Sequence, residues 1–143
     1  MRVNRIAYRE FSRNPELPFA AFRQTLGRDV FGALATTQEV DDLLELQAIF
    51  ARERTWCRPS PLVCPDRVRA MVDQKALTPA KRAEYRAALD RLRSIEQRHR
   101  DPKSTGEKEL HRIARWVLEQ WDPGDNRRLL DLGPREPQRV SVP

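Results

Sequence analysis

The chain has 143 residues, 39% of them hydrophobic and 34% charged, and its 27 Lys and Arg against 21 Asp and Glu leave a formal charge of +6. That length suits one domain, burying roughly 68–70% of the surface its unfolded chain exposes, and the apolar content is too high for a disordered chain. No apolar run is long enough to span a membrane, and Met1 to Ala20 holds no apolar core followed by a small-residue cleavage site, so the expectation is a soluble, cytoplasmic chain without a signal peptide.

Helical periodicity runs throughout and no segment sustains strand-like alternation. The expected fold is all-α: an irregular bundle of five or six helices over residues 1–132, with a Pro-rich internal loop and a flexible tail from 133. Val3, Ile6, Ala7 and Phe11 recur at three- and four-residue steps, predicting a first helix that stops near Ser12, ahead of Asn14-Pro15. Pro18 suits the opening turn of a second helix, with Phe19, Phe22 and Leu26 on one face. Gly27 either ends that helix or lies within one continuing towards Phe31. Four of the five phenylalanines stand in this stretch, which reads as the packing of a two-helix corner.

Thr36 and Glu39 have capping-box spacing, so a long helix should follow to about Arg54, burying Val40, Leu43, Leu44, Ile49 and Phe50. Asp41, Asp42 and Glu45 are a dense acidic group. Paired carboxylates serve glycosidic hydrolysis, but their place in the opening turns favours stabilisation of the helix N-terminus. Trp56 to Pro65 carries three prolines and reads as a loop pinned to the body by Trp56. A short helix with Val68, Met71 and Val72 follows, and Thr78-Pro79 then opens a long helix to about Arg100.

That long helix buries Tyr85, Ala88, Leu89, Leu92 and Ile95. At about 100° per residue, Arg82, Arg86, Arg93 and Arg100 fall on one flank of the apolar stripe, and Arg91 and Arg98 on the other. The first set is the candidate anion-binding surface of a small basic nucleic-acid-binding or regulatory protein. The competing reading is a solvated border whose stems cover apolar rim, interrupted by Glu84, Asp90 and Glu96. Ser104 and Glu107 form a second capping box for a last long helix burying Leu110, Ile113, Ala114, Val117, Leu118 and Trp121, and a short turn with Leu129, Leu130 and Leu132 closes the domain.

Chemistry-bearing patterns are sparse. Cys57 and Cys64 have six residues between them and only His99 and His111 could complete a zinc site, so two ordinary thiols are expected, and no metal. Neither histidine stands in a nucleophile–base signature, and the five glycines form no phosphate cradle, so neither a catalytic group nor a cofactor is expected. Trp56 and Trp116 are the candidate aromatic contact surface, set against a packing role for both.

One resemblance supplies a context. Tyr8-Arg9-Glu10-Phe11, Asn14-Pro15-Glu16-Leu17, Phe22, Leu26-Gly27 and Val30-Phe31-Gly32 resemble the helical region that follows the catalytic barrel in large bacterial glycoside-hydrolase-like proteins. Trp56, Pro59-Ser60-Pro61-Leu62 and the helix from Glu109-Leu110-His111 to Trp116 are similar to the rest of that region. The likeness spans about Asn4 to Trp121 and implies a carbohydrate-processing setting with a catalytic barrel domain as the protein partner. A barrel itself needs roughly 200 residues or more, so no catalytic residue carries over. The expected role is a non-catalytic accessory or interaction domain.

Overall fold

The helices that follow Thr36, Thr78 and Ser104 start at side chains that satisfy free backbone N–H groups. The computed structural model describes residues 2–51, 60–121, 126 and 128–131. Among these are six α-helices, α1 (Arg2–Arg13), α2 (Phe19–Phe31), α3 (Thr37–Ala51), α4 (Pro65–Asp73), α5 (Pro79–Arg98) and α6 (Thr105–Trp121), with a 3₁₀ turn at Pro61–Val63 and no strand. Both capping boxes form. The Glu39 amide donates to Thr36 Oγ1 (3.2 Å) while Glu39 Oε2 accepts from the Thr36 amide (2.5 Å). The Glu107 amide donates to Ser104 Oγ (3.1 Å) and its carboxylate accepts from the Ser104 amide (2.9 Å). Thr78 caps α5 by accepting from the Lys81 amide (3.2 Å).

The core has two parts. The larger joins α3, the 3₁₀ turn, α4, α5, α6 and the segment around Leu129 and Leu130, with Leu92, Ile95, Ala114 and Val117 fully buried between the closely packed α5 and α6. The smaller gathers Val3, Ile6, Phe22, Leu26 and Val40 from α1, α2 and α3, and Leu43 packs against both. Gly106 allows the start of α6 to approach the end of α2, for a Cβ there would stand 2.5 Å from Phe31 Cδ1 and 2.7 Å from the Val30 carbonyl oxygen.

Of the two readings of Gly27 the second holds: it lies buried inside α2, which runs on to Phe31 and ends at Gly32, whose φ of 103° is left-handed. Other expectations are corrected. Phe19, expected on the buried face, is 57% exposed: it stands at the first position of α2, beyond the reach of α1's packing, and touches Phe22 with ring centroids 6.0 Å apart. On α3 the deeply buried positions are Val40, Asp42, Leu46 and Ile49, with Leu43, Leu44 and Phe50 half-buried. The 3₁₀ turn is tied to α6 by Trp121, whose Nε1 donates to the Leu62 carbonyl (2.7 Å). Trp56 and Cys57, and the expected tail from 133, lie outside the described residues.

Candidate functional site

Two arginines of the α5 flank bind the chain's own later segment. Arg82 Nη1 and Arg86 Nη2 both donate to the Leu130 carbonyl (3.1 and 3.2 Å), and Arg86 also pairs with Asp131. These bonds hold Leu129 and Leu130, 0% and 4% exposed, against the core. Arg93 pairs with Asp90 (2.6 Å), and on the opposite flank Arg91 pairs with Glu45 (2.6 Å). Arg100 is exposed and lies just past the C-terminal end of α5. Of the four candidate anion-binding residues, two donate to the chain's own Leu130 carbonyl, one pairs with its neighbour on the helix, and one stands just past the helix end.

A polar network sits where α3, α5 and α6 meet. Asp42 is 2% exposed and His99 4%. Arg98 Nε and Nη2 donate to Asp42 Oδ2 and Oδ1 (3.0 and 2.6 Å), Gln38 Nε2 donates to Oδ1 (3.0 Å), and His99 Nε2 lies 2.8 Å from Oδ2. Burial pushes the Asp42 carboxyl up, yet the hydrogen bonds from Arg98, His99 and Gln38 outweigh it and hold the group below its ordinary value. On its other side His99 Nδ1 faces Glu107 Oε1 at 3.6 Å, an electrostatic contact too long for a hydrogen bond. Glu107 is likewise held low: burial opposes this, but the Lys103 and Ser104 amides and His99 prevail. With both ring nitrogens directed at carboxylates and the ring buried, His99 crosslinks three helices and is not presented to a substrate. Asp42 is thus no solvated helix-end charge. Its place one and two turns before Leu46 and Ile49 was the available signal.

The other groups weighed from the sequence are spent locally or separated. His111 Nδ1 meets the Glu96 carbonyl oxygen at 3.2 Å, and Cys64 is a free, half-buried thiol. Among the described residues no group of three or more His, Cys, Asp or Glu could hold a metal ion, and no helix is long and apolar enough to cross a membrane.

What the surface does present is apolar. Trp116 is 48% exposed on the outer face of α6, one turn beyond Ile113. Ile113 lines a cavity of about 300 Å³ between α1, α2, α3 and α6, walled by Val3, Val30, Leu43, Leu46 and Leu110, with Arg2 and Glu109 also on its lining. Positions 109, 113 and 116 follow at four- and three-residue steps and so share one side of α6, with Trp116 standing a turn beyond the cavity's lining. Of the two candidate contact tryptophans, the described one is thus on the surface. Comparison of the chain with protein-family models, with curated proteins and with solved structures finds no match.

Proposed function

We propose that the chain is a non-catalytic helical interaction domain that docks a protein partner through α6 and the cavity beside it, with Trp116 as the anchor. The exposed Trp116 carries this reading. Trp116 leaves about half of its surface open on a helix whose opposite face is buried, and tryptophans that fill a partner's pocket dominate the energetics of protein interfaces. The apolar lining next to it adds area that a partner side chain can bury, and Arg2 and Glu109 supply polar groups beside it. The resemblance of residues 4–121 makes a catalytic barrel of a carbohydrate-processing enzyme the partner of choice.

Co-elution and calorimetric titration with a purified bacterial glycoside-hydrolase barrel stripped of its own helical region test the proposal. Binding that Trp116→Ala weakens at least about tenfold, with thermal stability unchanged, supports it. Absence of binding by the unaltered chain, or binding indifferent to Trp116, refutes it.

A further inference from the structure

Among the described residues, α1 gathers several exposed arginines on one helix. Its twelve residues carry Arg2, Arg5, Arg9 and Arg13 against a single acid, Glu10. Steps of three, four and four residues place the arginines in one stripe on the solvent face, and all four are exposed. Arg9 is occupied by Glu10 (2.6 Å) and Asp29 of α2 (2.5 Å), whereas Arg2, Arg5 and Arg13 make no side-chain hydrogen bond or ion pair among the described residues. The contrast with α5 is direct: there Arg82, Arg86, Arg91, Arg93 and Arg98 all have partners.

Beside the stripe stands Tyr8, 78% exposed, in the wall of a surface hollow of about 550 Å³ shared with Arg2, Arg5, Ile6, Arg9 and Asp29. A bare aromatic ring among guanidinium groups is the combination that binds single-stranded nucleic acid, with cations on the backbone and a ring face for a base. An anionic membrane surface would need an apolar face of α1 free to enter the lipid. Val3 and Ile6, 6% and 7% exposed, are instead committed to the smaller core.

We infer that α1 is a binding surface for single-stranded nucleic acid, with Arg2, Arg5 and Arg13 on phosphates and Tyr8 stacked on a base. The site shares Arg2 with the rim of the cavity beside Trp116, so its test rests on Arg5, Arg13 and Tyr8, which that docking face lacks. Three phosphate contacts set the salt response. With a slope of about −0.7 per contact, affinity falls about 20-fold between about 50 and 200 mM salt.

The test is fluorescence anisotropy of a labelled thymidine homopolymer titrated with the full chain at both salt concentrations. The doubly substituted Arg5→Ala/Arg13→Ala chain should retain only about a threefold salt response. Tyr8→Ala should lose about fivefold or more in affinity while Tyr8→Phe, which keeps the ring, does not. Arg93→Ala and Trp116→Ala serve as controls expected to bind normally, and circular dichroism verifies that each variant is folded. Lack of binding at low salt, binding insensitive to the α1 variants, or binding to phosphatidylserine vesicles in place of the oligonucleotide overturns the inference.

Discussion

Asp41 and Asp42 are neighbours in sequence with the same local reading, and replacing each by alanine should give very different results. Asp41 is half exposed and pairs only with Arg23, so its loss should change stability by no more than about 1 kcal/mol. Asp42 faces four nitrogen atoms in a site where its side chain is 3% exposed. When its carboxylate is removed, Arg98, whose side chain is 43% exposed, can turn to water at little cost. His99 cannot, and a stranded buried polar group costs about 1–3 kcal/mol on top of the lost charged hydrogen bonds. Removing one partner of a fully buried ion pair costs about 3–5 kcal/mol; the partial exposure of Arg98 lowers the expectation here to about 2–4 kcal/mol. Urea denaturation followed by circular dichroism at neutral pH gives both numbers. If Asp42→Ala lies within about 1 kcal/mol of Asp41→Ala, the network does not hold the helices together and the reasoning fails. Asp42 and Glu107 also have lowered pKa values in the folded chain, so their contribution is present above the ordinary carboxylate range and is lost as pH falls below about 5. Asp42→Ala should therefore flatten the acid limb of the stability curve.

Burial, with the charge of Glu84 adding to it, pushes the Tyr85 hydroxyl up to about 12. A raised folded value means stability is intact below the unfolded value of about 10 and is lost as pH climbs from there towards the folded one, so Tyr85→Phe should remove that alkaline decline in a pH series of thermal melts. Gly106→Ala gains helix propensity but drives a methyl group into Phe31 and the Val30 carbonyl, and should destabilise by about 1–3 kcal/mol in the same urea assay; a stabilised variant would show that α2 and α6 separate freely. Arg82→Ala with Arg86→Ala should expose residues 128–131 to faster amide hydrogen exchange while α1 and α2 keep their protection; uniform loss across the chain would mean that the clasp is no local device.

Elements governed by near neighbours were legible in the sequence. Both capping boxes, the Thr78 cap and the apolar stripes of α5 and α6 depend on residues three or four positions apart, and they stand as expected. The fate of the charged residues was not legible, because it depends on what the fold brings from far away. Arg82 and Arg86 find their acceptor 48 and 44 residues on, and Asp42 finds Arg98 and His99 56 and 57 residues on. Of the candidate contact surface, Trp116 lies exposed on α6, yet the local pattern alone could not separate it from Trp121, five residues later and 3% exposed. The basic stripe of α1 also falls on one side of its helix, at steps of three, four and four residues where the α5 flank has four, seven and seven. The Leu130 carbonyl and Asp131 that engage Arg82 and Arg86 are brought there only by the tertiary structure.

The division of the core also orders events on the ribosome. Every buried residue of the smaller cluster falls between Val3 and Val40, so α1, α2 and α3 can consolidate as soon as α3 has emerged. The larger cluster needs Leu129 and Leu130, and at ordinary synthesis rates these follow roughly 4 to 17 seconds later. During that interval the larger cluster lacks these two leucines, and the segment that carries them docks on Arg82 and Arg86 once it emerges. A ribosome stalled before Leu129 would thus hold out a chain whose smaller cluster is complete and whose larger one is not, a form more exposed to chaperones and to aggregation.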